Sequence, residues 1–144
     1  MSKKIGIVLS LLCVIALAVS VFALVTAEKA LKDNKEENRD VQYVMYLGTN
    51  DKDTNEPVFS PEEAKAKAED ILVKNFGGFT IQDANGGWID DGKTYREYTL
   101  VIYLSDTDLA SVHKAADALI KEFNQSSVLI QANETKTEFY SLDE

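Results

Sequence analysis

The segment Tyr95–Leu104 (YREYTLVIYL) constrains the fold of this 144-residue chain more than any other segment. Its aromatic and β-branched residues are typical of a β-strand. Strand alternation places side chains on two opposite faces, Tyr98, Leu100, Ile102 and Leu104 on the more apolar one and Glu97, Thr99, Val101 and Tyr103 on the other. A carboxylate on such a strand is costly to bury. Glu97 therefore marks either a wet strand end, where it is solvated or paired with a lysine, or a functional site.

The residues before this strand predict that it is the second arm of a hairpin. Phe79–Asp83 has the composition of the first arm, and Asp90–Lys93 (DDGK) that of a tight hairpin turn. Between them, Asn85–Gly87 (NGG) predicts a bulge or a bend.

Four more elements complete the domain. Val41–Leu47 predicts a first strand, which a polar loop follows, Gly48–Pro57. Ser60-Pro61-Glu62-Glu63 has the sequence of a helix start with a capping box, and Gly77-Gly78 ends that helix. The last two are a helix that starts near Ser105-Asp106 and a strand over Ser127–Ile130, with a further extended piece to Tyr140 left open.

The order β-α-β-β-α-β predicts an α+β domain with the ferredoxin-like arrangement, in which two helices cover one face of a four-stranded antiparallel sheet. The other face, here named the open face, has no predicted cover from the same chain. Its residues Glu97, Thr99, Val101 and Tyr103 make it half apolar. Such a face predicts self-association, a bound ligand, or both.

The N-terminus predicts a membrane segment. Residues 5–25 are 21 consecutive uncharged, mostly apolar residues, which as a helix would span about 31 Å, enough for the hydrocarbon core of a bilayer. The rival interpretation is a cleaved signal peptide with Val25 and Ala27 before the cut, but signal-peptide cores usually have only about 7–15 residues. The sequence therefore predicts a membrane anchor or uncleaved signal over residues 1–27, a charged linker over 28–40 and the ferredoxin-like domain over 41–144.

The location of the domain follows from the layout of this N-terminus. Basic residues on both sides of the apolar segment do not fix its orientation. A short basic start before one apolar run is typical of a cytoplasmic N-terminus, so the sequence predicts a single-pass protein of the cell membrane with an extracytoplasmic domain. The linker is either a helical extension or a flexible tether.

Composition argues against several classes of function. Residues 41–144 contain nine lysines and arginines and nineteen aspartates and glutamates, a net charge of −10 that argues against a nucleic-acid partner. Cys13 is the only cysteine and His113 the only histidine, so disulfides, cysteine catalysis and zinc sites have little support. Asp51, Asp53 and Glu56 match a calcium loop poorly and indicate a solvated acidic loop. We expect no metal and no cofactor.

Glu97 is the candidate functional carboxylate, which would orient a cationic ligand or act as a base. Tyr95, Thr99 and Tyr103 are candidate ligand-binding residues because they share its face. Trp88, the only tryptophan, either closes over a ligand or packs at a sheet edge.

A family pattern is visible in these residues. The run Gly-Gly-Phe-Thr, seven residues, Trp-x-Asp-x-Gly, four residues, Glu-x-Thr-Leu over residues 77–100, followed by a helix and Asn124–Leu129, resembles the uncharacterised bacterial family called domain of unknown function 3574. The resemblance covers about Val41 to Phe139 and includes Gln125. Members of this family are usually exported or membrane-attached and have no established activity, so it implies fold and location more than function.

The chain is also faintly similar to phage S-adenosylmethionine lyases, which have a trimeric, PII-like version of the same topology. That likeness implies a catalytic role for Glu97, near the sulfonium of a ligand bound between subunits. By the same analogy Tyr95 or Tyr103 would contribute, and Gln125 is a candidate ligand-binding residue. The leading hypothesis is a membrane-anchored domain that self-associates, with a trimer as the state that the lyase likeness implies, and binds a small ligand or partner. The alternatives are a lyase-like enzyme and a structural module of the cell envelope.

Overall fold

The computed structural model describes residues 15–31 and 40–142. The chain divides into two compact units, Met1–Glu37 and Asn38–Glu144. In the first unit, residues 15–31 form helix α1. The second unit contains the remaining elements, β1 (Val41–Gly48), α2 (Pro61–Leu72), β2 (Thr80–Asp90), β3 (Lys93–Leu104), α3 (Leu109–Glu122) and β4 (Leu129–Glu134).

The structure corrects the prediction of a transmembrane helix. The described part of helix α1 has 17 residues, about 25 Å of helix, and it includes the charged Glu28 and Lys29. Among residues 15–31 and 40–142, no helix is both long enough and apolar enough to cross a membrane. The predictions of a transmembrane or signal-anchor helix and of a single-pass membrane location are therefore wrong. Residues 5–14 of the predicted segment and 32–39 of the predicted linker lie outside the described residues.

The four strands form one antiparallel sheet in the order β2-β3-β1-β4. Strand β1 lies between β3 and β4. Its pairing with β3 ends at the Gly48–Thr99 pair, and its pairing with β4 begins at the Val41–Glu134 pair. With one helix in each crossover, this is the α+β domain with a four-stranded antiparallel sheet that the sequence predicts. Strand β4 begins later than predicted and runs to Glu134, because it follows β1 over most of its length.

Helices α2 and α3 cover one face of the sheet. The buried core joins alternate side chains of β1 and β3 to the inward faces of the two helices, namely Tyr43, Met45, Leu47, Leu100, Ile102, Leu104, Ala64, Ala68, Leu72, Val112, Ala116, Leu119 and Phe123. The strand alternation assigned Leu100, Ile102 and Leu104 to the helices, so the predicted separation of the two faces of β3 is confirmed.

One helix start is confirmed and the other is wrong. Ser60 accepts a hydrogen bond from the Glu63 N–H, and the Glu63 carboxylate accepts one from the Ser60 N–H, which completes the predicted capping box. Helix α3 begins later than the predicted Ser105-Asp106, with Asp108 as its N-cap. The reason is local, because Asp106 has a φ of 56°, outside the range of a right-handed helix.

Strands β2 and β3 form a long regular hairpin. Its predicted turn is confirmed, since Asp91 and Gly92 have φ values of 46° and 76°, as a two-residue type I′ turn requires. The predicted bulge at Asn85–Gly87 is wrong, because β2 pairs with β3 residue by residue over its whole length. Since β1 pairs with β3 only as far as Thr99, the tip of the hairpin extends past the end of β1.

Candidate functional site

Glu97 lies on the open face, where the hairpin extends past β1, and has a glycine beside it on each neighbouring strand. Gly86 of β2 is its direct partner in the hairpin, and Gly48 is the last residue of β1. A Cβ atom at Gly48 would lie 2.5 Å from both carboxylate oxygens of Glu97, and one at Gly86 would overlap Thr99 Oγ1. The two glycines therefore provide the space that the Glu97 and Thr99 side chains occupy.

The polar loop after β1 brings a hydrogen-bond donor to Glu97. The backbone N–H of Asn50 donates to Glu97 Oε2 at 3.1 Å. Two further hydrogen bonds fix the loop: Thr49 Oγ1 donates to the Tyr98 carbonyl at 2.8 Å, and Asn50 Nδ2 donates to the Asn55 carbonyl at 3.0 Å. Glu97 is half-buried, and among the described residues its second oxygen, Oε1, has no hydrogen-bond or ion-pair partner.

Trp88 and Tyr95 form an aromatic wall beside Glu97. They are direct partners in the hairpin, and their rings stack with 5.3 Å between centroids and 13° between planes. Lys93 Nζ lies 4.6 Å from the centre of the Tyr95 ring. Because Trp88 is 37% exposed, part of its ring surface faces solvent.

The segment after α3 holds the polar loop from the other side. Gln125 Nε2 donates to the Asn50 carbonyl, and Asn124 Nδ2 donates to Asp51 Oδ2 at 2.7 Å. Asn50 is therefore held from both directions, through its carbonyl by Gln125 and through its N–H by Glu97.

Asp51 organises the acidic part of the polar loop. Its Oδ1 accepts hydrogen bonds from the N–H groups of Asp53 and Thr54 at 2.8 and 2.9 Å. The hydrogen bond from Asn124, followed by these two backbone hydrogen bonds, lowers the pKa of Asp51 from 3.8 to about 2. In the described part of the chain, no group of three or more histidines, cysteines, aspartates or glutamates is arranged to hold a metal ion. These acids hold the loop in shape.

The hairpin, the polar loop and the segment after α3 enclose a cleft of about 560 Å³ on the open face, the Glu97 cleft. Residues that line it include Asn50, Trp88, Tyr95, Glu97, Gln125 and Leu129. This volume is typical of sites that bind small molecules. Its lining contains two carboxylates, three side-chain amides, three aromatic rings and one lysine, Lys52. The Glu97 carboxylate beside the Trp88–Tyr95 pair is suited to binding a ligand with a positive charge and a flat ring.

The structure brings together four of the six predicted site residues, which all line the Glu97 cleft: Glu97, Tyr95, Trp88 and Gln125. Thr99 and Tyr103 share the open face but do not line the cleft. The Tyr103 hydroxyl donates to Gln82 Oε1 at 3.1 Å farther along the sheet. Thr99 is buried, and its hydroxyl has no hydrogen-bond partner among the described residues.

Asn50 is the site residue that the sequence did not reveal. It lies in the polar loop, 47 positions before Glu97, and is 8% exposed. The available signal was Gly48, since a glycine at a strand end often marks the close approach of another group. Asn50 follows it by two residues.

Side chains of the sheet itself cover more of the open face than the sequence predicts. Val44 and Val101 are buried there although α2 and α3 both pack on the opposite face. The Tyr46 hydroxyl donates to Gln131 Oε1 at 3.1 Å, and these long side chains lie beside the buried valines. Leu129 stays 60% exposed. Self-association through this face, as a trimer or otherwise, stays a prediction.

Three solved structures are similar to this chain at low identity. A phage SAM lyase in the apo state is 16% identical, with a TM-score of 0.47, over 70% of this chain and 92% of that chain. The phage SAM lyase in complex with S-methyl-5'-thioadenosine is also 16% identical, with a TM-score of 0.48, over 74% of this chain and 92% of that chain. A duf3240 family protein from Shewanella baltica is 11% identical, with a TM-score of 0.40, over 72% and 98%. None of these likenesses assigns an activity to this chain.

No curated protein matches the sequence significantly. A family model does match, over residues 42–139. This range includes α2, α3, every residue of the Glu97 cleft and all of the sheet except Val41, the first residue of β1. The resemblance drawn from the glycines, Trp88 and Glu97 is thereby confirmed. The chain belongs to the family described as Protein of unknown function (DUF3574).

Proposed function

We propose that the domain binds a small organic cation in the Glu97 cleft. The observation that carries this proposal is the state of the Glu97 carboxylate: the Asn50 N–H holds one oxygen, and the other has no partner among the described residues. Because Glu97 is half-buried, the dielectric constant around it is lower than in bulk water. A positive charge on a ligand is therefore attracted more strongly here than at an exposed carboxylate.

The aromatic wall supports a second property of the ligand. The stacked rings of Trp88 and Tyr95 offer flat surfaces next to the carboxylate, and such surfaces bind planar rings and cations. The nearby Lys52 does not neutralise Glu97, since its Nζ pairs with Asp53 at 2.7 Å. A planar ring joined to a cationic centre satisfies both parts of the cleft.

S-Adenosylmethionine is a suitable probe because it joins a purine ring to a sulfonium cation. S-Adenosylhomocysteine is the matched neutral ligand, since a thioether replaces the sulfonium. Trp88 is the only tryptophan of the chain, so its fluorescence reports binding in the cleft. We expect the cationic probe to bind at least about tenfold more tightly than the neutral one.

Charge-neutral variants identify the source of this preference. Glu97→Gln should abolish it, while Glu62→Gln, which removes an exposed charge on α2, should preserve it. Equal binding of both probes to the unmodified protein, or an unchanged preference in Glu97→Gln, would reject the proposal.

A second candidate function uses the same carboxylate for catalysis. In an intramolecular cleavage of S-adenosylmethionine, an oxygen of the substrate's own carboxylate forms a C–O bond while the C–S bond breaks. The sulfonium then leaves as the neutral thioether S-methyl-5'-thioadenosine. The unpartnered Oε1 beside the aromatic wall favours this candidate, because Glu97 would hold the sulfonium as the catalytic residue.

Chromatography of a reaction mixture separates the remaining possibilities. Product from the unmodified protein that disappears with Glu97→Gln supports the lyase function, and equal product from both proteins removes Glu97 from it. Binding without product leaves a binding domain. If no probe binds and Glu97→Gln alters stability alone, the domain is a structural module.

A further inference from the structure

Asn124 joins the end of α3 to the polar loop. It directly follows the C-cap Phe123 and has a φ of 45°, the left-handed conformation. The N–H of the next residue, Gln125, donates to the Ile120 carbonyl at 2.9 Å. This is the six-to-one hydrogen bond of a Schellman motif, whose left-handed position is usually glycine and sometimes asparagine. The helix end by itself would therefore accept glycine at this position.

The Asn124 side chain makes contacts that glycine cannot make. Its Nδ2 donates to Asp51 Oδ2 at 2.7 Å and to Asp53 Oδ2 at 3.1 Å. Between these two residues, the Lys52 N–H donates to the Asn124 carbonyl at 3.0 Å. Three consecutive loop residues are thus bound to one residue of the α3 terminus. The residue just before them is Asn50, whose N–H donates to Glu97.

We propose that Asn124 is a positioning residue for the Glu97 cleft. By clamping the polar loop to the end of α3, it holds the Asn50 N–H against Glu97 Oε2 and so leaves Oε1 directed to a ligand. The role of this clamp in ligand binding rests on the proposed function. The contacts it concerns form without any ligand, so they can be tested separately.

Asn124→Gly tests the clamp because it removes both side-chain hydrogen bonds and keeps the left-handed conformation at the helix end. We expect the Asn50 amide to exchange with solvent hydrogen at least about tenfold faster. The Met45 amide, in the middle of β1, should exchange as before. The NMR signal of the Asn50 amide proton should also move upfield in the variant, because its hydrogen bond to Glu97 Oε2 weakens.

Asn75→Gly is the matched control. Asn75 Nδ2 donates to the Ile71 carbonyl at 2.8 Å at the end of α2, away from the polar loop. If Asn124→Gly does not fold, Asp51→Ala leaves the α3 terminus intact. It removes one of the two Asn124 side-chain contacts from the loop side, together with the hydrogen bonds that Asp51 accepts within the loop.

An Asn50 amide whose exchange rate and chemical shift match the unmodified protein, in a folded Asn124→Gly or Asp51→Ala variant, would overturn the inference. Failure of S-adenosylmethionine to bind would reject the proposed function and leave both of these readouts unchanged. Ligand binding therefore tests the proposed function, and the Asn50 amide tests the Asn124 clamp.

Discussion

Gly48 and Glu97 lie so close together that any side chain at position 48 would meet the carboxylate. A Cβ atom there would be 2.5 Å from both Oε1 and Oε2. The distance is too short for ordinary van der Waals contact, so one of the two groups would have to move. The position of the Glu97 carboxylate therefore depends on a glycine at the end of β1.

Gly48→Ala should destabilise the domain by about 1 kcal/mol, because the new methyl group moves the end of the flexible Glu97 side chain away from the Asn50 N–H. In a Glu97→Ala background the same change should cost much less, since the obstructing group is gone. Urea denaturation of the four proteins in this cycle measures both costs. Equal costs in the two backgrounds would show that Gly48 serves another purpose.

Thr99→Val should raise the free energy of unfolding by about 1 kcal/mol. Its buried hydroxyl has no partner among the described residues, and an unpaired buried polar group is destabilising. Thr80→Val, at an exposed position of β2, is the control for β-propensity and should change stability by less than about 0.5 kcal/mol. A loss of stability in Thr99→Val would mean that the hydroxyl has a partner, such as a bound water.

The hydrogen bonds of Asp51 predict a pH dependence of the polar loop. Its pKa is lowered from 3.8 to about 2 in the folded protein. A group whose folded pKa is depressed stabilises the fold above the unfolded pKa and loses that contribution as pH falls through the folded pKa. The stability difference between the unmodified protein and Asp51→Asn should therefore be constant above about pH 4 and shrink toward pH 2. NMR titration that places the Asp51 pKa at its ordinary value would contradict this.

Self-association through the open face is tested by one exposed residue on each side of the sheet. Leu129 on the open face and Val73 at the end of α2 are both 60% exposed. If copies of the chain meet through the open face, Leu129→Lys should lower the mass measured by light scattering, because it buries a charge at the contact. Val73→Lys should leave the mass unchanged. A monomeric unmodified protein, or equal effects of the two variants, would reject assembly through this face.

The parts of the fold that local chemistry determines were predictable from the sequence. Asp91-Gly92 has the residues that a type I′ turn requires, and the alternation in β3 separates its two faces correctly. Asn85–Gly87 was misread, because Gly86 makes room for the Thr99 and Glu97 side chains and Gly87 for the Tyr95 carbonyl, while the pairing with β3 continues without a bulge. Composition alone does not distinguish these two uses of glycine.

The site was only partly predictable, because alternation gives the face of a residue and not its position along the sheet. Thr99 and Tyr103 share a face with Glu97, but the cleft forms only where the hairpin passes the end of β1. Asn50 and Asn124 reach the site through hydrogen bonds over long sequence separations. Such contacts have no periodic signal in the chain. The apolar N-terminal run was misread for a different reason. An apolar composition does not by itself make a membrane-spanning helix, and no helix described over residues 15–31 and 40–142 is long and apolar enough for one.

The central claim is that Glu97 recognises a positive charge on a ligand in the cleft. Calorimetric titration of S-adenosylmethionine and S-adenosylhomocysteine into the unmodified protein and into Glu97→Gln tests it most directly. We predict that the cationic ligand binds at least about tenfold more tightly to the unmodified protein, about 1.4 kcal/mol, and that the two ligands bind Glu97→Gln equally. The same ratio of affinities in both proteins, or no binding of either ligand, would contradict the claim.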